Sequence, residues 1–420
     1  MRGVSHPPPL SIRANMLWNS SGSLIYLGSQ WLITILVVRL AAGTYQDAGV
    51  LALGMTIMNI FAPLAEYRMS IYQVSDVKEE NSVGEYLAFR IMTSSVALVA
   101  IIIYSFLTAP RNALVAIYLY CLTKILSQVI GVLHSQDQVH RRMDFIGRSL
   151  ILQGLGTLGA FAAVFGATKN IALACGAMAV TTAAVGFFYD LPRTRRFGPI
   201  RPHIRWAKAG KILVSYSPVV AAALALAAAP AVPRQFLAAA QGEAALGIYT
   251  SVAAPAAIIQ MGATYIYSPL MTYFARSQAA GEADALRRLF ARTVGGITLG
   301  SAAGATGLLV LGPWLLDLMY GPTIAPHTYL IGPIIAFTWV SAYVWFFSSL
   351  LIALRGLTGN VVGNFTSFAV VLPATWIFIP EWGMNGVSFA GIASYSVAGV
   401  VMMVFLLRLF RSKTTPTMKP

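Results

Sequence analysis

Polar side chains recur at helical spacing within the first long apolar stretch of the chain. Asn15, Asn19, Ser23, Tyr26 and Gln30 follow one another at intervals of three or four residues, so a helix places all of them on one face. Amide groups facing lipid would lack hydrogen-bond partners, because hydrocarbon offers none. We therefore expect this face to line the interior of a helix bundle or a hydrated cavity, where it could hydrogen-bond a polar ligand.

Three further apolar stretches carry similar polar stripes. Their members are Thr56, Asn59, Pro63, Glu66 and Ser70 in the second stretch, Tyr120, Lys124, Gln128 and His134 in the fourth, and Gln260, Thr264 and Tyr267 in the eighth. A single Asn or Gln in a membrane helix is most simply explained by a hydrogen bond between helices. Several stripes in one chain favour a hydrated cavity instead. The uncharged residues expected to line it are Asn15, Asn19, Tyr26, Gln30, Asn59, Gln128 and Gln260.

Charged side chains in and near these stretches indicate the charge of a ligand. Lys124 lies near the middle of its stretch, which is too deep for its ammonium to snorkel to the interface. Four arginines lie near helix ends, where anchoring at the interface is the simpler role: Arg39, Arg68, Arg90 and Arg234. Because cations outnumber acids, we expect these five cations to contribute to binding an anionic group. Glu66 and Asp317 are the acids that could couple a proton or a sodium ion.

The sequence shows no recognisable catalytic or metal-binding constellation. Cys121 and Cys175 lie in apolar stretches, the five histidines form no ligand cluster, and no nucleophile with a neighbouring base stands out. The phosphate-binding pattern G-x-x-x-x-G-K-[ST] is absent, which disfavours ATP as an energy source. Gly154, Gly156 and Gly159 match G-x-G-x-x-G, but no strand precedes them, so close helix packing explains them better. We expect a protein that is not an enzyme, with no catalytic residues, no cofactor and no metal.

The composition is that of a polytopic membrane protein. Of 420 residues, 57% are apolar and 10% are charged, and the mean hydropathy is +0.70. A helix of about 20 apolar residues crosses a bilayer. Stretches of this kind fall at about 15–38, 48–71, 86–108, 113–134, 145–166, 170–189, 212–232, 247–272, 293–312, 329–354, 361–379 and 384–407. The segment before them, MRGVSHPPPLSIR, has no cleavable signal pattern, so we expect the first helix to be retained.

These stretches predict an all-α fold of 12 transmembrane helices in two pseudo-symmetric six-helix lobes. The lobes comprise residues 1–189 and 212–420, and a basic linker, 190–211, joins them. The linker carries seven cationic side chains against one acid. Each Arg or Lys at the centre of a membrane helix costs about 2.5–3.5 kcal/mol, so this segment must lie in water. Under the positive-inside rule it faces the cytoplasm.

The remaining cations agree with this orientation. With both termini in the cytoplasm, the predicted helices place all but five of the 29 Lys and Arg residues in cytoplasmic segments. The exceptions are Arg39, Arg111, Lys169 and Arg234 in outer turns and Lys124 within a helix. The net charge of +15 therefore reflects membrane topology, and we expect no nucleic-acid partner.

An internal repeat relates the two predicted lobes. RLAAGTYQDAGVLALG follows the first helix, and RQFLAAAQGEAALGIY follows the seventh. When Gly49 is aligned with Gly247, Arg90 falls close to Arg287. Lobes of equal topology form a parallel repeat about an axis along the membrane normal, and transport sites lie at the interface of such repeats.

Five segments along the chain share a pattern of spaced small, aromatic and basic residues. They are NMLWNSSGSLIYLGSQWLITILVVRLAAGTYQDAGVLALG, SIYQVSDVKEENSVGEYLAFRI, VPRQFLAAAQGEAALGIYTSVAA, MYGPTIAPHTYL and WGMNGVSFA. In these segments the chain resembles the Wzx-type polysaccharide flippases of the MOP (multidrug/oligosaccharidyl-lipid/polysaccharide) exporter superfamily. The extra helix pair of the peptidoglycan-precursor flippases of that superfamily is absent.

The resemblance implies a multi-pass protein of the bacterial inner membrane with both termini in the cytoplasm. Such a protein would move undecaprenyl diphosphate-linked oligosaccharide from the cytoplasmic to the periplasmic leaflet by alternating access of a cationic cavity, for O-antigen, capsule or exopolysaccharide biosynthesis. The positions that could supply the positive lining are Arg39, Arg68, Arg90, Lys124 and Arg234. The implied partners are the lipid-linked oligosaccharide, membrane lipids, and the polysaccharide polymerase and glycosyltransferases of the same pathway.

Two other functions are compatible with a polytopic chain of this kind. A multidrug exporter of the same superfamily prefers cationic drugs and needs acids within the membrane, and Glu66 is nearly alone in that position here. A membrane-embedded polysaccharide polymerase or ligase would also bind a lipid-linked sugar. We would expect such an enzyme to carry catalytic groups on a sizeable outer loop, and the predicted outer loops are short.

Overall fold

A computed structural model describes residues 9–41, 43–67, 69–76, 81–198 and 200–412 of the chain. Every regular element among these residues is a helix. Contacts between Cα atoms divide the chain into two units, with the boundary between Leu224 and Ala225. The prediction of an all-α fold with many helices long and apolar enough to cross a membrane is confirmed.

Among its described residues, the first unit contains eight α-helices and most of a ninth. They are α1 (Ile12–Leu40), α2 (Gln46–Glu66), α3 (Met69–Ser75), α4 (Val83–Thr108), α5 (Leu114–Val139), α6 (Met143–Thr168), α7 (Ile171–Ala184), α8 (Leu191–Thr194) and α9 (Trp206–Ala228). A π-helical turn, Val185–Asp190, connects α7 to α8. Helix α4 begins with a capping box, in which Ser82 and Glu85 each bond the backbone N–H of the other.

Helix α2 is shorter than the sequence pattern predicts. The prediction extends to residue 71, but α2 ends at Glu66 because Tyr67 adopts a left-handed conformation with φ 48°. The Tyr67 N–H donates to the Pro63 carbonyl and closes the last turn. The chain then resumes as α3, so Ser70 lies on a different helix from Asn59. Arg68 lies outside the described residues.

Glycines allow α1 and α6 to approach closely. A Cβ atom added to Gly22 would lie 2.6 Å from Gly147 Cα, and one added to Gly154 would lie 2.9 Å from Tyr26 Cα. Such backbone-to-backbone approaches are a common way for helices to associate in membranes, where apolar burial does not drive them together. These two close contacts fix the position of α1 along α6.

The glycines that match G-x-G-x-x-G all lie within α6. A Cβ atom on Gly154 would collide with α1, and one on Gly156 would lie 2.9 Å from the Thr181 side chain of α7. Gly159 has no described atom within 4 Å of an added Cβ. The prediction that helix packing explains these glycines is confirmed for two of the three.

The basic segment and α9 contact residues that come earlier in the first unit. Lys208 forms an ion pair with Glu85 at 2.9 Å, and the Tyr67 hydroxyl donates to the Leu213 carbonyl at 2.8 Å. These contacts group most of α9 with residues before it, although the sequence pattern assigns the stretch from residue 212 to the second lobe. The role of residues 190–211 as a cytoplasmic linker stays a prediction. Its exposed cations are Arg195, Arg196, Arg201, Arg205 and Lys211.

In its described part, the second unit contains the remaining eight α-helices. They are α10 (Ala231–Gln241), α11 (Glu243–Ala253), α12 (Ala257–Tyr267), α13 (Met271–Ala279), α14 (Ala283–Tyr320), α15 (Ile331–Ala353), α16 (Leu357–Trp382) and α17 (Met384–Ser412). Its core is rich in aromatic side chains, with Phe290 stacked on Phe346 at 5.8 Å between ring centroids.

The eighth predicted helix, 247–272, is broken into shorter pieces. Helix α11 ends at Ala253 and α12 begins at Ala257, with Pro255 in the turn between them. Proline has no N–H to donate and its ring clashes with the carbonyl four residues earlier, so a helix often ends there. The other eleven predicted stretches each correspond to a described helical segment that is long and apolar enough to cross a membrane.

Candidate functional site

A cavity of about 390 Å³ lies among α1, α2 and α5 in the first unit. Its volume is within the range of small-molecule binding sites, roughly 300–1,000 Å³. The lining residues are Tyr26, Leu27, Gln30, Ile33 and Thr34 of α1, Leu51, Met55, Met58, Asn59 and Ala62 of α2, and Tyr120, Lys124, Ser127 and Gln128 of α5. Five predicted cavity residues therefore meet at one place: Tyr26, Gln30, Asn59, Lys124 and Gln128.

Neutral polar groups hold the Lys124 ammonium in this cavity. Its Nζ donates to Gln30 Oε1 at 2.7 Å and to Tyr26 Oη at 3.2 Å. The ring centroids of Tyr26 and Tyr120 lie 5.4 and 5.5 Å from Nζ, where the negative faces of the rings attract a cation. An ammonium group has three N–H donors. Two donate to Gln30 and Tyr26, and Tyr120 lies close enough to interact with the third, so the ammonium is surrounded by neutral groups.

No carboxylate neutralises Lys124 within the described part of the chain. Ion pairs such as His134–Asp190, Arg142–Asp144 and Lys208–Glu85 do not involve Lys124. The described residues that line the cavity include no Asp or Glu. A partly buried charge without a counter-charge is costly, and a bound anion would offset that cost. The cavity is therefore suited to an anionic group.

Gln30 is oriented by α6, which lies behind it. Gln30 Nε2 donates to Thr157 Oγ1 at 3.2 Å, and the Thr157 hydroxyl donates to the Gln153 carbonyl at 2.6 Å. With its Nε2 held in this way, the amide turns Oε1 toward Lys124. Thr157 was not singled out from the sequence, because its partner is 127 residues away.

Arg90 lies behind the cavity and does not line it. Its side chain is fully buried, with Nη2 donating to Ser70 Oγ at 2.8 Å and Nη1 donating to Gln128 Oε1 at 3.4 Å. Because Gln128 lines the cavity, one side chain separates the Arg90 guanidinium from it. The positive charge of Arg90 therefore lies close to the cavity without lining it.

The other predicted residues of the first unit lie elsewhere. Asn15 Nδ2 donates to the Leu10 carbonyl at 3.2 Å, and Asn15 Oδ1 accepts from the Met143 N–H at 2.8 Å, so this side chain joins the start of α1 to the start of α6. Three more are described but do not line the cavity: Asn19, which is half-buried, Arg39, which is exposed at the end of α1, and Glu66, which is half-buried at the end of α2.

Three predicted residues belong to the second unit. Arg234 in α10 and Gln260 in α12 are half-buried, and Asp317 in α14 is exposed. Their expected roles in ligand binding and ion coupling stay predictions.

The sequence pattern missed several lining residues. Ser127 was not singled out, although it lies three residues after Lys124 and so shares its helix face. Tyr120, four residues before Lys124, was on the predicted polar stripe but not among the residues expected to line the cavity. Met55 and Met58 are apolar, so a pattern of polar residues does not include them. Their flexible side chains adapt readily to ligands of different shape.

Comparisons with known proteins relate the chain to others through its fold. No family model and no curated protein sequence matches it. A MATE family multidrug resistance transporter of the MOP superfamily in an inward-facing conformation has a TM-score of 0.70 and 12% identity, with 92% of this chain and 96% of that chain covered. The lipid II flippase MurJ in an inward closed conformation has a TM-score of 0.69 and 11% identity, with coverage of 94% and 89%.

A further similar structure is a MOP superfamily transporter from Pyrococcus furiosus, for which a reversed polarity of the binding pocket is described. Its TM-score is 0.60 at 12% identity, and the comparison covers 95% of both chains. The structural neighbours of this chain are thus transporters and flippases of the MOP superfamily, and the chain shares their fold.

Proposed function

We propose that this protein is a flippase that moves an isoprenoid diphosphate-linked oligosaccharide from the cytoplasmic to the periplasmic leaflet of a bacterial inner membrane. The observation that carries the proposal is the Lys124 ammonium, which lies in a cavity lined in part by polar groups and, among the described residues, contacts neutral groups and no carboxylate. The diphosphate supplies the missing negative charge. In this proposal the lipid tail stays in the bilayer while the head group passes through the protein by alternating access.

The neutral lining suits the sugar part of such a ligand. Gln30, Asn59, Ser127 and Gln128 offer hydroxyl and amide groups that can both donate to and accept from sugar hydroxyls. Two tyrosine rings, Tyr26 and Tyr120, add flat surfaces beside the ammonium. Ligand sites commonly combine apolar surface with a few placed polar groups.

The membrane potential is sufficient to favour the outward direction without ATP. One elementary charge moved across 100 mV changes the free energy by about 2.3 kcal/mol. A diphosphate with two negative charges, moved outward from a negative interior, therefore releases roughly 4.6 kcal/mol. Glu66 and Asp317 remain candidates for an additional coupling ion.

The fold is compatible with a second function, export of cationic drugs, because MATE multidrug transporters are among the structural neighbours. The charge of the cavity favours the flippase. A cationic drug would meet Lys124, and the described lining holds no acid to bind it. In the cell, the proposed flippase would act between the glycosyltransferases that build the lipid-linked sugar and the polymerase that consumes it.

A reconstituted system distinguishes the two functions. Liposomes containing the purified protein and a fluorescent isoprenoid diphosphate-linked oligosaccharide are treated with dithionite, which bleaches only the outer leaflet. We expect bleaching to proceed beyond the outer-leaflet fraction with the protein present and to stop at that fraction in protein-free liposomes. Parallel liposomes with a cationic dye should show no transport. Dye transport without movement of the lipid-linked sugar would refute the proposal.

A further inference from the structure

A second polar cluster lies in the first unit, around the π-helical turn Val185–Asp190 and the end of α5. The Asp190 side chain is completely buried, and its Oδ1 is 3.2 Å from His134 Nε2. The π turn ends at Asp190, and π-helical turns often occur at functional sites. Neither residue belongs to the cavity lining.

The cluster contains a second buried acid. Asp137 is 0% exposed, and its Oδ1 accepts from Thr194 Oγ1 at 3.2 Å. Its Oδ2 is buried and has no hydrogen-bond partner among the described residues. A buried carboxylate oxygen without a donor is costly, so Asp137 is poorly stabilised as an anion.

The other charged groups around the cluster are accounted for by their own contacts. Asp144 and Arg142 of the neighbouring α6 turn pair at 2.8 Å, and this hydrogen bond raises the pKa of Arg142. Arg148 is exposed, with its guanidinium 4.9 Å from the ring centroid of Trp18. Arg193 donates to the Tyr189 carbonyl at 2.9 Å.

Among the basic side chains of the described residues, His134 is the one within ion-pair distance of either buried carboxylate, since Arg142, which also interacts with Asp137, is paired with Asp144. With the imidazole protonated and both acids ionised, one carboxylate stays uncompensated in a buried site. Adding one proton to an acid removes that charge. Titratable groups this close exchange protons as a coupled set, so the cluster has at least two protonation states of different charge.

A chain of side-chain hydrogen bonds connects Asp190 to the cavity. Ser149 Oγ donates to Asp190 Oδ2 at 2.9 Å, and Gln153 Nε2 donates to Ser149 Oγ at 2.9 Å. Ser127 Oγ, which lines the cavity, donates to Gln153 Oε1 at 3.2 Å. With the Asp190 carboxylate as the last acceptor, each group in the chain donates toward it. Ser149, Gln153 and Ser127 can each both donate and accept, so the order of donors can reverse.

We propose that His134, Asp137 and Asp190 form a proton-binding site whose charge is communicated to the cavity through Ser149, Gln153 and Ser127. A proton that is taken up by this coupled set and held on Asp190 provides an O–H that donates to Ser149. Ser149 then donates to the turned amide of Gln153, which donates to Ser127. The Ser127 hydroxyl becomes free to donate into the cavity, and the whole unit gains one positive charge. Both changes favour an anionic ligand, so proton binding and ligand binding strengthen each other.

The link to ligand affinity rests on the proposed anionic substrate, so the test has one arm that needs no ligand. His134 is titrated by NMR in imidazole-labelled protein in nanodiscs, with His134→Gln identifying its signal. We expect Asp190→Asn to change the pH dependence of the His134 ring signals, because the substitution removes a negative charge that lies 3.2 Å from Nε2. An unchanged curve in Asp190→Asn would overturn the proton-binding site.

The second arm measures the affinity for farnesyl diphosphate, used as an anionic isoprenoid probe, as a function of pH. We expect the ratio of the wild-type affinity to the Ser149→Ala affinity to rise about five- to tenfold from pH 8 to pH 5.5, the size of a typical coupling between two sites. The ratio removes the pH dependence that both proteins share, which comes from the added charge and from the phosphate groups of the probe, whose second pKa is about 6. The His134 titration should persist in Ser149→Ala. Asp190→Asn should bind tightly at all pH values, because its amide resembles the neutral acid. The matched control is Ser135→Ala, since the Ser135 hydroxyl donates only within α5, to the Gly131 carbonyl at 2.9 Å; it should behave as the wild type.

The outcomes separate the two proposals. A pH dependence that is the same in the wild type and in Ser149→Ala would overturn the connection to the cavity. A wild type that binds no probe at any pH would contradict the proposed anionic substrate, and the His134 titration would still decide whether the proton-binding site exists.

Discussion

Replacing Lys124 by glutamine removes the positive charge of the cavity while keeping a side chain of similar length. The lost interaction is a hydrogen bond from an ammonium to a phosphate oxygen, and hydrogen bonds to charged groups contribute about 1.5–3 kcal/mol. At about 1.4 kcal/mol for each factor of ten, Lys124→Gln should weaken binding of a diphosphate ligand by roughly 10- to 150-fold. Lys124→Arg keeps the charge but does not fit between Gln30 Oε1 and Tyr26 Oη in the same way, so we expect a smaller loss.

The assay is dithionite bleaching of the lipid-linked oligosaccharide in liposomes, with initial rates measured below saturating substrate. Lys211→Gln provides the matched control, because it makes the same chemical change at an exposed position outside the cavity. Equal protein incorporation and equal thermal stability show that the variants are folded. Wild-type rates in Lys124→Gln, or an equal loss in Lys211→Gln, would refute the assignment of Lys124 as the anion-binding group.

Three further predictions concern packing, ligand orientation and topology. Gly147→Val should lower the free energy of unfolding in detergent by about 1–3 kcal/mol, because the new side chain overpacks the contact between α6 and α1. Gly159→Val should have little effect, since no described atom lies within 4 Å of a Cβ atom added there. Thr157→Val removes the acceptor of the Gln30 amide and should reduce the flipping rate about fivefold, in line with about 1 kcal/mol for a neutral hydrogen bond; a loss as large as that of Lys124→Gln would contradict this secondary role. A reporter fused at Phe197 should be active only in the cytoplasm, and periplasmic activity would invert the predicted topology.

The cavity was partly predictable because helical periodicity is a local property. Spacings of four residues in Tyr26 and Gln30, and again in Lys124 and Gln128, place each pair on one helix face, and the structure brings both faces together. Asn15 is on the same stripe as Gln30, but it lies about 22 Å farther along a helix that rises 1.5 Å per residue. It consequently reaches the start of α6 and not the cavity.

What the sequence could not provide is the set of contacts between distant segments. Arg90 and Lys124 are both cations in apolar stretches, yet one is enclosed by Ser70 and Gln128 while the other faces the cavity. The choice depends on the neighbouring helices, and no local pattern encodes it.

The break in the eighth predicted helix has a similar explanation. Pro255 interrupts the helix, whereas Pro63, Pro218 and Pro313 lie inside continuous helices of the same chain. Neighbouring helices can satisfy the backbone groups that a proline frees in a membrane, so proline alone does not predict a break.

The most direct test of the account is a structure of the protein with a bound isoprenoid diphosphate-linked oligosaccharide in a lipid nanodisc. We expect a diphosphate oxygen within hydrogen-bond distance of Lys124 Nζ, about 2.7–3.2 Å, with sugar hydroxyls contacting Gln30, Asn59 or Gln128. A diphosphate bound away from Lys124, or a cavity filled by lipid chains while the sugar binds elsewhere, would contradict it.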